Sequence, residues 1–155
     1  MHRIPCGRWV AVLAIVVLAA TLFFAVYRFS APAHSGYFYE PASTDAERAT
    51  FLEQFGCQIN KEPIETVVLT IPEPLDRVYQ NYETILAEDG LSLVPYQGKT
   101  VTRYTYSVTN YPGVPEAHAN LLVFGDRVIG GDISTVALDG FMHSFSEFKK
   151  VIKKM

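Results

Sequence analysis

Cysteine is scarce in this chain: Cys6 and Cys57 are the only two among 155 residues. They lie on either side of an uncharged apolar run, so a bilayer span there would separate them and leave no intrachain disulfide. Free cysteine is among the most buried residue types, which predicts Cys57 as a small core residue and not as a nucleophile. Cys6 precedes the apolar run, so it is not a lipoprotein attachment site. Basic charge is also sparse. Setting aside Arg3, Arg8 and Arg28 leaves ten basic residues against sixteen acidic ones, and four of the ten are Lys149, Lys150, Lys153 and Lys154 at the tail. Such an acidic body argues against binding nucleic acid through its phosphates. No G-x-S-x-G elbow is present, and the histidines beyond the apolar run are His34, His118 and His143. Hydrolase chemistry therefore has no visible pairing of nucleophile and base.

What the chain does have is one long oily stretch. Residues 9–27 read WVAVLAIVVLAATLFFAVY without a charge, close to the roughly 20 residues that a helix needs to cross a bilayer. Arg3 and Arg8 precede it, and Trp9 and Tyr27 stand at interfacial positions. This pattern predicts a cytoplasmic N-terminus (1–8), a transmembrane helix or uncleaved signal anchor (9–28) and an exported remainder. A cleaved signal peptide ending at Ala31-Pro32-Ala33 is the competing reading. It is disfavoured by the length of the run, because signal cores span only about 7 to 15 residues. Residues 29–43 are rich in Pro, Ala, Ser and Gly and read as a stalk, with the folded domain over 44–155.

Within that domain Thr44-x-x-Glu47 is a capping box. It starts a helix with Phe51, Leu52 and Phe55 on one face, Arg48 at the rim and Gly56 as the stop. The β-branched run 64–71 predicts a strand. Leu75, Val78, Tyr79, Tyr82, Ile85 and Leu86 recur at helical spacing before Gly90. Beyond Leu91 the period shortens to two, and Tyr104, Tyr106 and Val108 alternate with Arg103, Thr105 and Ser107. Gly125-Asp126 marks a two-residue hairpin, and Ser144-x-x-Glu147 opens a last, basic helix. Its lysines complement the helix dipole or, alternatively, touch anionic lipid. The expected fold is α+β, with two or three helices packed on one face of a mainly antiparallel sheet.

The candidate sites follow from residue chemistry. Gly130-Gly131-Asp132 lies inside a strand and is followed by more strand, so it reads as a bulge or a close backbone approach and not as a phosphate cradle. Asp132, Asp139 and His143 are competent metal ligands or acid–base groups, and a cluster of the three is the enzymatic or metal-binding alternative. None of them stands at a tight ligand spacing, so neither a metal nor a cofactor is expected. Tyr104, Tyr106 and Tyr111 offer rings for stacking on a sugar or anchoring a protein, or else line the core. Arg48 could bind a carboxylate ligand, or lay its stem on the core and pair with a neighbouring acid.

The segments RATFLEQFG (48–56), TIPEPLDRVYQNY (70–82), YTYSVTNYPG (104–113) and 128–143 resemble the domain of unknown function 4830 family. The likeness covers most of the chain after the stalk. Cys57 and Glu83 depart from it, at places where an aromatic and an asparagine are expected. The resemblance implies a single-pass or secreted bacterial protein and supplies no catalytic residues. The resulting expectation is a non-catalytic binding or regulatory module of the cell envelope. Its expected partners are the bilayer, through the N-terminal helix, and an envelope protein or glycan.

Overall fold

The computed structural model describes residues 36–137 and 139–154. The apolar segment 9–28 lies outside them; among the described residues no helix is long and apolar enough to cross a membrane. Thr44 starts helix α1 (Asp45–Glu53) with the reciprocal box that the sequence predicts. Its hydroxyl accepts from the Glu47 amide, and the Glu47 carboxylate accepts from the Thr44 amide at 2.8 Å. Strand β1 (Glu65–Thr70) follows, then helix α2 (Arg77–Glu88), capped by the Asp76 carboxylate on the amides of Val78 and Tyr79.

Strands β2 (Thr100–Val108), β3 (Ala117–Phe124), β4 (Arg127–Thr135) and β5 (Met142–His143) complete a five-stranded sheet in sequence order, antiparallel throughout. Helix α3 (Phe145–Lys153) closes the chain. The β3–β4 hairpin turns through Gly125-Asp126, where Gly125 has φ of 63°, the conformation that the first position of a type II′ turn demands.

The helices do not share a face of the sheet. Side chains alternate along a strand, and the register places Thr105, Asn120 and Asp132 side by side on one face and Tyr106, Ala119 and Ile133 on the other. The Tyr82 hydroxyl of α2 donates to Asp132 on the first face. Arg48 of α1 bonds Tyr106 on the second, where Phe51 of α1 and Phe55 of the turn after it lie 5.6 and 5.1 Å from Phe145 of α3. The expected two-layer arrangement is therefore corrected to three layers, with α2 on one side and α1 and α3 on the other. Burial of β4 without a break from Val128 to Ile133 is the signature of a strand covered on both faces.

Gly130 and Gly131 make the double coverage possible. Val123 pairs with Val128 but Leu122 with Gly130, so β4 carries one extra residue, Ile129, and the bulge expected around the glycines is present just before them. A Cβ on Gly130 would press on Leu122 and Leu93 at 3.1 Å, with Leu86 of α2 just beyond at 3.5 Å. On Gly131 a Cβ would meet the Asn120 carbonyl at 2.5 Å and the Phe145 ring at 2.6 Å. The two glycines thus serve opposite layers.

Residues 37–42, assigned from sequence to the stalk, belong to the folded domain. Tyr37 packs on Phe55 with ring centroids 4.2 Å apart, the Tyr39 carbonyl accepts from the Val128 amide at 2.9 Å, and Ala42 is fully buried. At the far edge of the sheet, buried Asp89 accepts from the amides of Phe145 and Ser146 at 2.8 and 2.9 Å, tying the end of α2 to the start of α3. One tail lysine joins the fold as well: Lys149 donates to the Gln54 carbonyl and sits over the Tyr37 ring.

Candidate functional site

Helix α2 leaves part of its own apolar stripe uncovered. Leu86 is buried against the sheet, but Val78 is 73% exposed, and across the opening Met142 of β5 is 51% exposed. Between them lies a groove of about 530 Å³, walled by Tyr79 and Ile85 of α2 and by Leu69 and Leu122 of the sheet. That volume falls within the range of about 300 to 1,000 Å³ that small-ligand sites occupy.

Asp132 forms part of the polar floor of this groove and is almost fully buried. Its Oδ2 accepts from the Tyr82 hydroxyl at 2.8 Å, and its Oδ1 accepts from Asn120 Nδ2 at 2.9 Å. Asn120 also donates to the Ser134 hydroxyl and accepts from the Thr105 hydroxyl at 2.9 Å. Hydroxyl and amide protons therefore run in one direction, from Thr105 to Asn120 to Asp132, with Tyr82 joining from the helix. Burial pushes the Asp132 carboxyl above the usual carboxylate range, against the opposing pull of Asn120, Tyr82 and Ser134 and the charge of Arg103. Burial, reinforced by the Asp132 charge, also holds the Tyr82 phenol well above its ordinary value, so it stays a donor. Arg103 lines the same groove, bonds Glu65 at 2.6 Å through one terminal nitrogen, and has a buried Nε without an acceptor among the described residues.

The other sequence candidates are dispersed. His143 pairs with Ile133, so its side chain belongs to the face opposite Asp132, and Asp139 is exposed in the preceding turn. The three are not brought together, and among the described residues no group of three potential metal ligands forms. The Ser144 carbonyl, 2.9 Å from His143 Nδ1, can only accept, so Nδ1 carries a proton, and Nε2 lies 3.0 Å from the Tyr111 hydroxyl. Tyr111 and His143 stack around Phe141 at the margin of the aromatic layer.

Arg48, Tyr104 and Tyr106 form a structural knot. The Arg48 guanidinium lies 3.7 Å over the Tyr104 ring, donates to the Tyr106 hydroxyl at 2.7 Å and to the carbonyls of Ala42 and Ser43, and pairs with Asp45 at 2.6 Å. Tyr106 is fully buried, so its ring offers no stacking surface. Cys57 is a core residue whose thiol is pushed up to about 12 by burial, far from the thiolate that nucleophilic chemistry needs.

A family model described as Domain of unknown function (DUF4830) matches residues 51–133, more than half of the chain. The chain belongs to that family. The matched segment of this DUF4830 chain holds the polar floor residues Tyr82, Arg103, Thr105, Asn120 and Asp132, and leaves Ser134, Met142 and Arg48 outside. No curated protein and no solved structure is detectably similar to the chain. The sequence reasoning singled out Asp132 alone of this floor. Asn120 carried a readable signal, being an amide inside the apolar run 119–124; Tyr82 and Arg103 carried none, because only the placement of α2 over β4 gives them a shared cavity.

Proposed function

We propose that this is a membrane-anchored bacterial protein whose exported domain binds a small, largely apolar ligand in the groove between α2 and the sheet, as a non-catalytic receptor or regulator in the cell envelope. The anchor rests on the uncharged run 9–27 and the arginines before it. The binding role rests on one observation: an apolar cavity of about 530 Å³ closed at its base by a buried, hydrogen-bonded carboxylate. Apolar walls with a few convergent polar groups are the usual make-up of a ligand site.

Two measurements test the two halves. An alkaline phosphatase fused after Met155 is expected to be active in cells, since it folds only outside the cytoplasm; an inactive, intact fusion contradicts the topology. Saturation-transfer NMR with a mixture of small apolar molecules is expected to give signals with the full chain. These should vanish for Ile85→Trp, which fills the groove. Equal signals from both proteins place binding elsewhere.

A further inference from the structure

The groove holds two unmet electrostatic demands of opposite kind. Asp132 is a buried carboxylate whose contacts are all neutral donors, and it takes part in no ion pair among the described residues. Even with the Ser134 hydroxyl counted beside Tyr82 and Asn120, the carboxylate keeps acceptor capacity, since its oxygens offer about four lone-pair sites. A buried carboxylate without a cation is costly. Arg103 lacks an acceptor for its buried Nε among the described residues, and a buried donor left without a partner is costly. An unpaired group of this kind in a native structure points to a missing ligand or water.

The spacing of the two groups fits one small molecule. Arg103 and Asp132 project from the same sheet face, two strands apart and two residues apart along the strands, because Arg103 is opposite Leu122 and Asp132 opposite Asn120. With about 4.8 Å between strands and about 3.4 Å per residue, their Cα atoms lie about 12 Å apart. The long arginine shaft and the short aspartate narrow that distance to the span of a ligand with adjacent positive and negative groups. Between them the walls are Leu69, Leu122, Ile85 and Tyr79. The bond from Arg103 to Glu65 is no obstacle, as both side chains are exposed by more than a third and such surface pairs contribute little.

We propose that the ligand is a free apolar α-amino acid, with its ammonium on Asp132, its carboxylate on the Nε side of Arg103 and its side chain along α2. This rests on the binding role given to the same groove. The acidic surplus of the domain, sixteen acids against ten bases beyond residue 28, favours a zwitterion over a free carboxylate such as a fatty acid.

Calorimetry on the full chain in lipid nanodiscs separates the possibilities, with four probes of one shape: L-leucine, 3-methylbutylamine, 4-methylpentanoate and 4-methyl-1-pentanol. L-leucine is expected to bind at least tenfold tighter than the amine and the acid, which lack one charge each. Asp132→Asn is expected to abolish its advantage over the acid, and Arg103→Gln its advantage over the amine. Leucine binding no tighter than either analogue, or an advantage that survives both substitutions, overturns the amino-acid assignment. In the first of these cases, if the alcohol still binds, the apolar groove stands as a site. Failure of all four probes on the wild-type chain removes the binding role too. The wild-type series needs no variant to fold, so the assignment is decided even if Asp132→Asn unfolds.

Discussion

At the scale of single residues, Asp132 is the group whose chemistry is least explained by folding. A native-state pKa raised by burial means that the folded chain holds the proton more tightly than the unfolded one. The stability linked to that proton is complete below the unfolded value of about 3.9 and is lost as pH rises through the higher folded value. Above that folded value the ionised carboxylate therefore weakens the fold. Asp132→Asn keeps the shape and removes the charge, so it is expected to unfold at a higher urea concentration than wild type at pH 7. The gain should be about 1 to 2 kcal/mol and should shrink towards pH 4. A variant less stable than wild type at both pH values would show that hydrogen bonds from Tyr82 and Asn120 outweigh the burial cost. Arg48 is the contrasting case, since each of its nitrogens has a partner and its ring contact is fixed. The sequence raised both readings of that arginine, and the neighbouring acid with which it pairs is Asp45.

Among elements, the boundaries were legible where local chemistry sets them. Thr44 and Ser144 as caps, the two-residue turn at Gly125-Asp126 and the strand at Glu65–Thr70 depend on a few adjacent residues, and each stands where the pattern puts it. Layering was not legible in the same way. The alternation of Tyr104, Tyr106 and Val108 suggested a watery opposite face, yet Thr105 is buried beneath the floor of the groove. The unbroken apolar runs at 121–124 and 128–131 were the contrary signal, because a strand with one wet face does not read that way. Gly130 and Gly131 convert this layering into a prediction. Gly131→Ala sets a Cβ against a backbone carbonyl, which cannot yield, and is expected to cost about 2 to 3 kcal/mol. Gly130→Ala meets only the ends of leucine side chains and should cost clearly less. Thermal unfolding of both variants checks the order, and a reversal would mean that α2 presses on β4 harder than α3 does.

For the whole molecule, the acidic balance and the uncharged run 9–27 are plain in the sequence, while the cavity arises only from assembly. Val78, Ile85, Leu122 and Met142 come from three separate elements, and no short-range pattern announces that they surround Asp132. The α2 stripe did carry a trace of it, with more apolar positions than one helix face buries, Val78 being left open. The domain also extends back to Tyr37, which packs on Phe55. The groove as the site of action is the central claim, and methyl-resolved NMR of the full chain titrated with 4-methyl-1-pentanol tests it most directly. The largest shifts are predicted at Leu69, Val78, Ile85, Leu122 and Met142, with Leu52 and Ile152 on the opposite side of the sheet unmoved; shifts centred on that opposite side, or none with either this alcohol or L-leucine, would contradict it.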